Sequence, residues 1–182
     1  MPGWVIWITG LPGSGKSTVT HGLHAKLEKR RIKVNILSID ELRKIVTPQP
    51  TYTEKEREYV YGALVYTAII LTQINQNVII DATANRRSYK EKARKRIENF
   101  LEVYLKCPLH ICKLRERSRV QYYGAPKGIY AKGEKAQSKT VPGIGVVYEE
   151  PLNPEVVIES ALTSTEQAVH QIIRVLKERH WI

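Results

Sequence analysis

The chain has 182 residues, 42% of them hydrophobic and 26% charged, with 29 Lys and Arg against 18 Asp and Glu and a formal net charge of +11. That apolar fraction excludes wholesale disorder, and the length accommodates one α/β domain with a full core. The basic excess favours anionic partners but does not separate nucleotides, sulfated or phosphorylated metabolites and nucleic acid.

The sequence enters a strand-like "WVIWITG" within three residues of Met1. This leaves no room for a basic leader and cleavage site, so no secretory signal is expected. Trp4 to Thr9 reads as a short buried strand that Gly10 breaks, and Val19, Leu23 and Leu27 follow at helical spacing. "VNILSID", Val34 to Asp40, reads as a second strand. Thr53 with Glu56 makes a capping-box signal, and Val60, Leu64, Ala68 and Leu71 continue a helical face behind it. The apolar run "GALVYTAIIL" inside that segment is too short to span a bilayer, so a cytoplasmic protein without a membrane partner is expected.

"VIID", Val78 to Asp81, is a third strand ending in a carboxylate. Ser88 with Glu91 opens another helix, and "FLEVYLKC" gives a fourth strand. Cys107 and Cys112 lack a second metal-ligand pair and read as packing residues, with a disulfide or metal as the alternative. Gln121 to Pro142 has neither period and predicts a mobile lid. "EVVIES", Glu155 to Ser160, is a last strand, and Thr163 with Glu166 caps a final helix carrying Val169, Ile172, Ile173 and Leu176. Strands alternating with helices imply an α/β fold, a parallel sheet with helices on both faces. No linker marks a second domain, so residues 1–182 are expected to form one unit with a lid at about 115–145.

The most specific stretch is "GLPGSGKST", Gly10, Leu11, Pro12, Gly13, Ser14, Gly15, Lys16, Ser17 and Thr18. Gly10-x4-Gly15-Lys16-Ser17 is a complete Walker A pattern between a strand and a helix, which predicts ATP binding and a P-loop NTPase fold. Glycines let successive backbone N–H groups face the phosphates, and the helix N-terminus adds its dipole. Lys16 is suited to the β- and γ-phosphates and Ser17 to Mg²⁺. No guanine-reading motif is evident, and the size favours a small-molecule kinase over a transport or motor ATPase.

Asp40 and Asp81 are expected to end strands on the side where ligands bind in open α/β sheets. A kinase needs one carboxylate to take or orient the acceptor's proton and one to organise Mg²⁺. Asp40 is assigned the first role and Asp81 the second. The reverse assignment stays open, as does simple helix capping by either. Arg43 and Arg57 follow the second strand, where paired guanidinium donors suit an anionic acceptor. From Arg86 to Arg96, "RRSYKEKARKR" holds seven basic residues. A solvated outer helix is favoured there over a nucleic-acid surface, because aromatic residues are not interleaved beyond Tyr89.

The segment from Pro126 to Ser160, "PKGIYAKGEKAQSKTVPGIGVVYEEPLNPEVVIES", resembles the lid and C-terminal segment of adenylylsulfate kinases. "SIDELR" is similar to that family's D-G-D-N-x-R, keeping Asp40 and Arg43, and "YTEKER" to its F-T-x-x-x-R, keeping Thr53 and Arg57. The resemblance implies phosphoryl transfer from ATP, with Mg²⁺, to the 3′-hydroxyl of adenosine 5′-phosphosulfate. It implies that Asp40 faces that hydroxyl and that Arg43 and Arg57 hold the phosphosulfate. Lys127 and Lys139 would approach the phosphates as the lid closes, with Gly128 and Ile144 among the substrate-binding positions. A homodimer is compatible with it.

Several acceptor-side positions depart from the family pattern. Ser38 and Glu41 replace Asp and Asn, and Tyr59 and Val60 stand where Asn is usual. Val141-Pro142 replaces Phe-Thr and so removes an aromatic expected to stack on adenine, a contact worth roughly 1–3 kcal/mol. Ala84-Asn85-Arg86-Arg87 replaces S-P-x-R, and ten residues, "ERSRVQYYGA", separate Arg115 from Pro126 where the family has a single Asp. "DATANRR" also looks like the D-x-T-x-x-x-R of polynucleotide kinases. A related kinase acting on another anionic metabolite or a nucleic-acid end is therefore the alternative. A nucleotide-dependent binding protein is a third reading.

Overall fold

The computed structural model describes residues 2–121, 123–135 and 140–182. Five strands pair in parallel: Val5–Thr9 (β1), Val34–Ser38 (β2), Asn77–Asp81 (β3), Phe100–Lys106 (β4) and Val156–Glu159 (β5), in the order β2-β3-β1-β4-β5. All of β1 is buried, because each face of the sheet is covered by helices. Ile6 and Ile8 meet Lys16–Glu28 (α1) and Thr165–Glu178 (α7) through Leu23, Leu27, Val169, Ile172, Ile173 and Leu176. Val5 and Trp7 meet Ile39–Val46 (α2), Glu54–Gln73 (α3) and Arg87–Arg94 (α4) through Ile39, Val60, Leu64, Ala68, Tyr89 and Ala93. Each such Leu or Ile contributes about 2 kcal/mol on burial, so the two layers fix the register of the sheet.

The chain reaches β2 and β3 on one side of β1 and then crosses to β4 and β5 on the other. The crevice beyond the carboxyl end of β1 is therefore the topological switch point where open sheets bind ligands. Over that crevice lie Leu109–Arg117 (α5) and Ile129–Glu134 (α6), around a small cluster of Cys107, Cys112, Tyr130 and Val141. Both cysteines are free and buried, as packing residues are. Among the described residues, no helix is long and apolar enough to cross a membrane.

The expected elements are present, with boundary corrections that follow from capping. The second strand stops at Ser38, whose Oγ accepts from Glu41 N at 3.5 Å, so Asp40 lies in the first turn of α2 rather than at a strand end. Ser164 caps α7, in a reciprocal box with Gln167, instead of Thr163 with Glu166. Ser88 does not open α4. That helix begins at Arg87, whose N–H donates to Glu149 Oε2 at 2.9 Å, a partner too distant in sequence for local reading. Thr53 caps α3 as expected by accepting from Glu56 N at 3.2 Å, but the Glu56 side chain does not return the bond. The stretch expected to be an irregular lid contains α6, and α5 precedes it.

The basic segment Arg86–Arg96 is not a simple solvated face. Lys92, Lys95 and Arg96 are exposed, but Arg86 pairs with Glu54 and Arg87 with Glu149. Lys90 is buried, with Nζ 3.2 Å from Glu102 Oε1. Arg94 reaches Glu102 Oε2 at 3.2 Å and Glu155 Oε2 at 3.0 Å. Burial pushes the Lys90 ammonium below its ordinary pKa, and Glu102 opposes that shift. The helix is thus bound to β4 and to the start of β5 by charge. Glu102→Ala, which strands the Lys90 charge, is expected to cost about 3–5 kcal/mol and to lower Tm by roughly 10 °C in a thermal melt. Joint Lys90→Met and Glu102→Leu replacement is expected to restore most of that loss.

Candidate active site

The phosphate loop leaves β1 at Gly10, where a Cβ would lie 2.6 Å from Leu105 O and 2.6 Å from Ser14 Oγ. Only a residue without a side chain lets the chain turn there against β4. Gly13 is constrained more tightly, with φ +81° and a Cβ that would stand 2.4 Å from Cys112 O. The loop is closed by Ser14 N–H donating to Leu11 O at 3.0 Å and by Lys16 Nζ donating to the same oxygen at 3.1 Å. Tyr130 of α6 donates to Pro12 O at 2.7 Å, which joins the overlying segment to the loop. Gly15 precedes α1, and Lys16, Ser17 and Thr18 form the helix's first turn. That turn presents unpaired backbone donors to an anion.

One cavity of about 550 Å³ runs from Pro12–Val19 past Asp40 and Asp81 to Arg43, Tyr52, Arg57, Thr140 and Val141. The structure thus gathers Lys16, Ser17, Asp40, Asp81, Arg43 and Arg57 around one space, although four separate segments supply them. Asp81 comes from the end of β3, Asp40 and Arg43 from α2, and Arg57 from α3. Burial lowers the Lys16 pKa, and Asp81 and then Asp40 oppose the shift. Burial raises that of Asp40 and the Asp81 charge adds to the rise, while Lys16 and Arg43 oppose it. The three groups therefore share one poorly solvated field.

Both arginines are buried and held. Arg43 Nη1 donates to Glu56 Oε1 at 2.6 Å, and its guanidinium lies 4.8 Å from the centre of the Tyr52 ring. Arg57 donates to Tyr52 O at 3.1 Å, Asn85 Oδ1 at 3.2 Å and Thr140 O at 2.6 Å. Glu56 explains the incomplete capping box. Its carboxylate accepts from Thr51 N and Oγ1, both at 2.6 Å, as well as from Tyr52 N and Arg43. Burial works against the Glu56 charge, but these bonds prevail and hold its pKa down to about 2.

The remaining expected positions are spread around this centre. Gly10 and Leu11 shape the loop without lining the cavity, and neither do Lys127, Gly128 and Ile144. Lys127 is exposed, Gly128 opens α6 and donates its N–H to Glu116 Oε1 at 2.8 Å, and Ile144 sits beside Gly133. Lys132 lines the cavity from α6. Lys139 lies outside the described residues. Tyr52, Arg115 and Arg119 also line the cavity and were not among the expected site residues. Tyr52 stands immediately before the recognised Thr53, so its position in "YTEKER" was an available signal. Arg115 ties the end of β5 to the loop, donating to Ser160 O at 2.7 Å and Ser14 O at 3.4 Å.

A phosphate loop after the central strand of a β2-β3-β1-β4-β5 sheet, with lid helices above it, defines a P-loop phosphotransferase. The family model described as adenylylsulphate kinase matches residues 2–159, and the chain belongs to that family of ATP-dependent kinases. A probable adenylyl-sulfate kinase of Pyrococcus abyssi is 34% identical over 178 residues, covering 98% of this chain and 97% of that one. Another, of Archaeoglobus fulgidus, is 36% identical over 157 residues, covering 86% and 96%. The fold is similar to that of the Mycobacterium tuberculosis APS kinase solved in complex with AMPPNP and APS. The TM-score is 0.85 at 27% identity, over 97% of this chain and 98% of that one.

Glu56→Ala removes the acceptor of Arg43 from a largely buried pair. It is expected to destabilise the fold by about 3 kcal/mol in urea denaturation. Because the folded carboxylate is held at about 2, below its ordinary 4.5, the wild type's advantage is present above the unfolded value. That advantage is lost as pH falls toward 2, so the two stability curves are expected to converge in acid.

Proposed function

We propose that this chain transfers the γ-phosphoryl group of ATP to the 3′-hydroxyl of adenosine 5′-phosphosulfate, as an adenylylsulfate kinase in sulfate activation in the cytoplasm. The observation that supports this best is the one cavity that the phosphate loop, Asp40, Arg43 and Arg57 line together. Asp40 feels the charges of both Lys16 and Arg43. A donor on the loop and an anionic acceptor on the arginines fit that space, with the reacting centre next to the carboxylate. We take residues 1–182 as one kinase unit whose lid covers about residues 115–145.

In this reading the loop N–H groups and Lys16 bind the β- and γ-phosphates, and Arg43 and Arg57 hold the acceptor's phosphosulfate. Asp40 orients the 3′-hydroxyl and accepts its proton as the new O–P bond forms. The bond from Pγ to the bridging oxygen breaks and ADP leaves. Two carboxylates, a serine hydroxyl and phosphate oxygens make an all-oxygen set that suits a hard dication. Ser17 and Asp81 would hold Mg²⁺, which would neutralise phosphate charge. A cluster of three or more acidic, His or Cys ligands is absent among the described residues, which accords with a metal carried largely by nucleotide and water. Tyr130, bonded to the loop, and Val141, facing the cavity, exclude water from the transfer.

A second reading keeps the donor and changes the acceptor to another small anion. It is favoured by Val141-Pro142 at the acceptor end, where Val141 is buried with Cys112 and Tyr130 and presents no aromatic surface. The two readings separate when the protein is mixed with Mg-ATP and adenylylsulfate and ADP release is followed with mass identification of the product. Saturable 3′-phosphorylation is the expected result, and ATP binding without transfer would move the acceptor elsewhere.

Lys16→Ala and Asp40→Asn are each expected to lower kcat by about 10³-fold or more in that assay. For the wild type, kcat/KM is expected to fall with decreasing pH at a higher pH than an ordinary aspartate would give, because the folded Asp40 pKa is raised. A raised pKa also means that the contribution of Asp40 to stability is full in acid and lost as pH rises through the folded value. Asp40→Asn is therefore expected to melt at a higher temperature than wild type at pH 7, although it is inactive.

A further inference from the structure

The residues Glu116–Ala125 stand where the resembling family has a single Asp, and the reading above gives them no task. The described residues among them are pinned at several points. Glu116, at the end of α5, is buried and accepts from Gly128 N at 2.8 Å, fastening the start of the segment to the start of α6. The Tyr123 ring stacks on His21 of α1, with centroids 4.3 Å apart and planes at 20°. Gly124 abuts α2 so closely that a Cβ would lie 2.0 Å from Glu41 Oε1. The segment is thus clasped to the helix that follows the phosphate loop and to the helix that carries Asp40.

Between these pins, Arg119 lines the cavity together with Lys16, Ser17 and Asp40. Its side chain is half-buried. The charge of Arg119 is felt at the reacting centre, where it weakly disfavours protonated Lys16 and favours ionised Asp40.

We propose that Arg119 is a catalytic residue, delivered by this segment, whose guanidinium contacts the phosphoryl group while it passes from ATP to the acceptor. The inference rests on the kinase reading of the cavity. As the bond to the ADP oxygen breaks and the bond to the acceptor oxygen forms, negative charge spreads over the three equatorial oxygens. A planar, always protonated fork can follow that charge. Arg119 gives up no proton, because the acceptor's proton goes to Asp40. A segment clasped on both flanking helices brings the charge into place when loop, α1 and α2 are correctly arranged.

The test compares Arg119→Ala and Arg119→Lys with wild type and with Arg96→Ala, which removes an equal charge from exposed α4-proximal surface. With Mg-ATP and adenylylsulfate, Arg119→Ala is expected to lose about 10³-fold in kcat with both KM values within about threefold. Arg119→Lys is expected to recover little of that loss, because a point charge does not replace the fork. Added guanidinium at millimolar concentration is expected to rescue the alanine variant in part. Tyr123→Ala, which loosens the clasp but keeps the arginine, is expected to lower kcat about tenfold without guanidinium rescue, while AMPPNP affinity and Tm stay near wild type.

A kcat for Arg119→Ala within about threefold of wild type would overturn the proposal, as would a rise in KM at unchanged kcat. Should wild type itself fail to phosphorylate adenylylsulfate, the acceptor reading falls. Arg119 is then tested on acceptor-free ATP hydrolysis, where the same large loss supports it and an unchanged rate overturns it.

Discussion

The constraint on which this molecule turns is the confinement of one ammonium and two carboxylates, Lys16, Asp40 and Asp81, to a space with little water. Burial disfavours the charge on Lys16 and on Asp40, and Asp81 supports the first while opposing the second. None of the three would rest there without a framework that over-determines its position. The five-stranded sheet supplies it, because β1 and β3 are neighbours in register and deliver the loop and Asp81 side by side. The two helical layers hold that register, and α2 brings Asp40 across the gap. The same poor solvation that costs stability makes every charge in the cavity act strongly on phosphate.

Much of this was legible in residue order. The phosphate loop announces itself by glycine spacing and by a strand before and a helix behind it. Alternating apolar strands and helical stripes lead directly to a parallel sheet with two covered faces. Asp81, Arg43 and Arg57 were placed by their distance from strand ends, and the structure does set them around one cavity. The boundaries that slipped did so for two reasons. Ser38 and Ser164 are local caps that displaced the expected ones, whereas Arg87 N–H is satisfied by the distant Glu149 and the Glu56 carboxylate is diverted to Arg43 and Thr51.

What sequence could not give is pairing between distant charges. The run of seven basic residues reads as a surface, yet four of them are neutralised by Glu54, Glu149, Glu102 and Glu155. Two of these carboxylates, Glu149 and Glu155, belong to the "YEEPLNPE" stretch, and Tyr148 at its start bonds Thr9 at 3.1 Å while Thr9 bonds Thr83 O at 2.6 Å. The C-terminal motif therefore acts as mortar between the first strand, the segment after Asp81 and α4. Tyr148, Glu149 and Glu155 each bond a different distant segment, which constrains those three positions.

The two thiols have a chemical consequence of their own. Cys112 lies directly behind Gly13, and burial, reinforced by Cys107, pushes its pKa up to about 12. That shift keeps little of the sulfur as the reactive thiolate near neutral pH. The sulfur is also fully buried in the cluster of Cys107, Tyr130 and Val141, so an alkylating reagent does not reach it while that packing is intact. The rate of labelling at that sulfur is then a clock for how often its packing against Tyr130 and Val141 loosens.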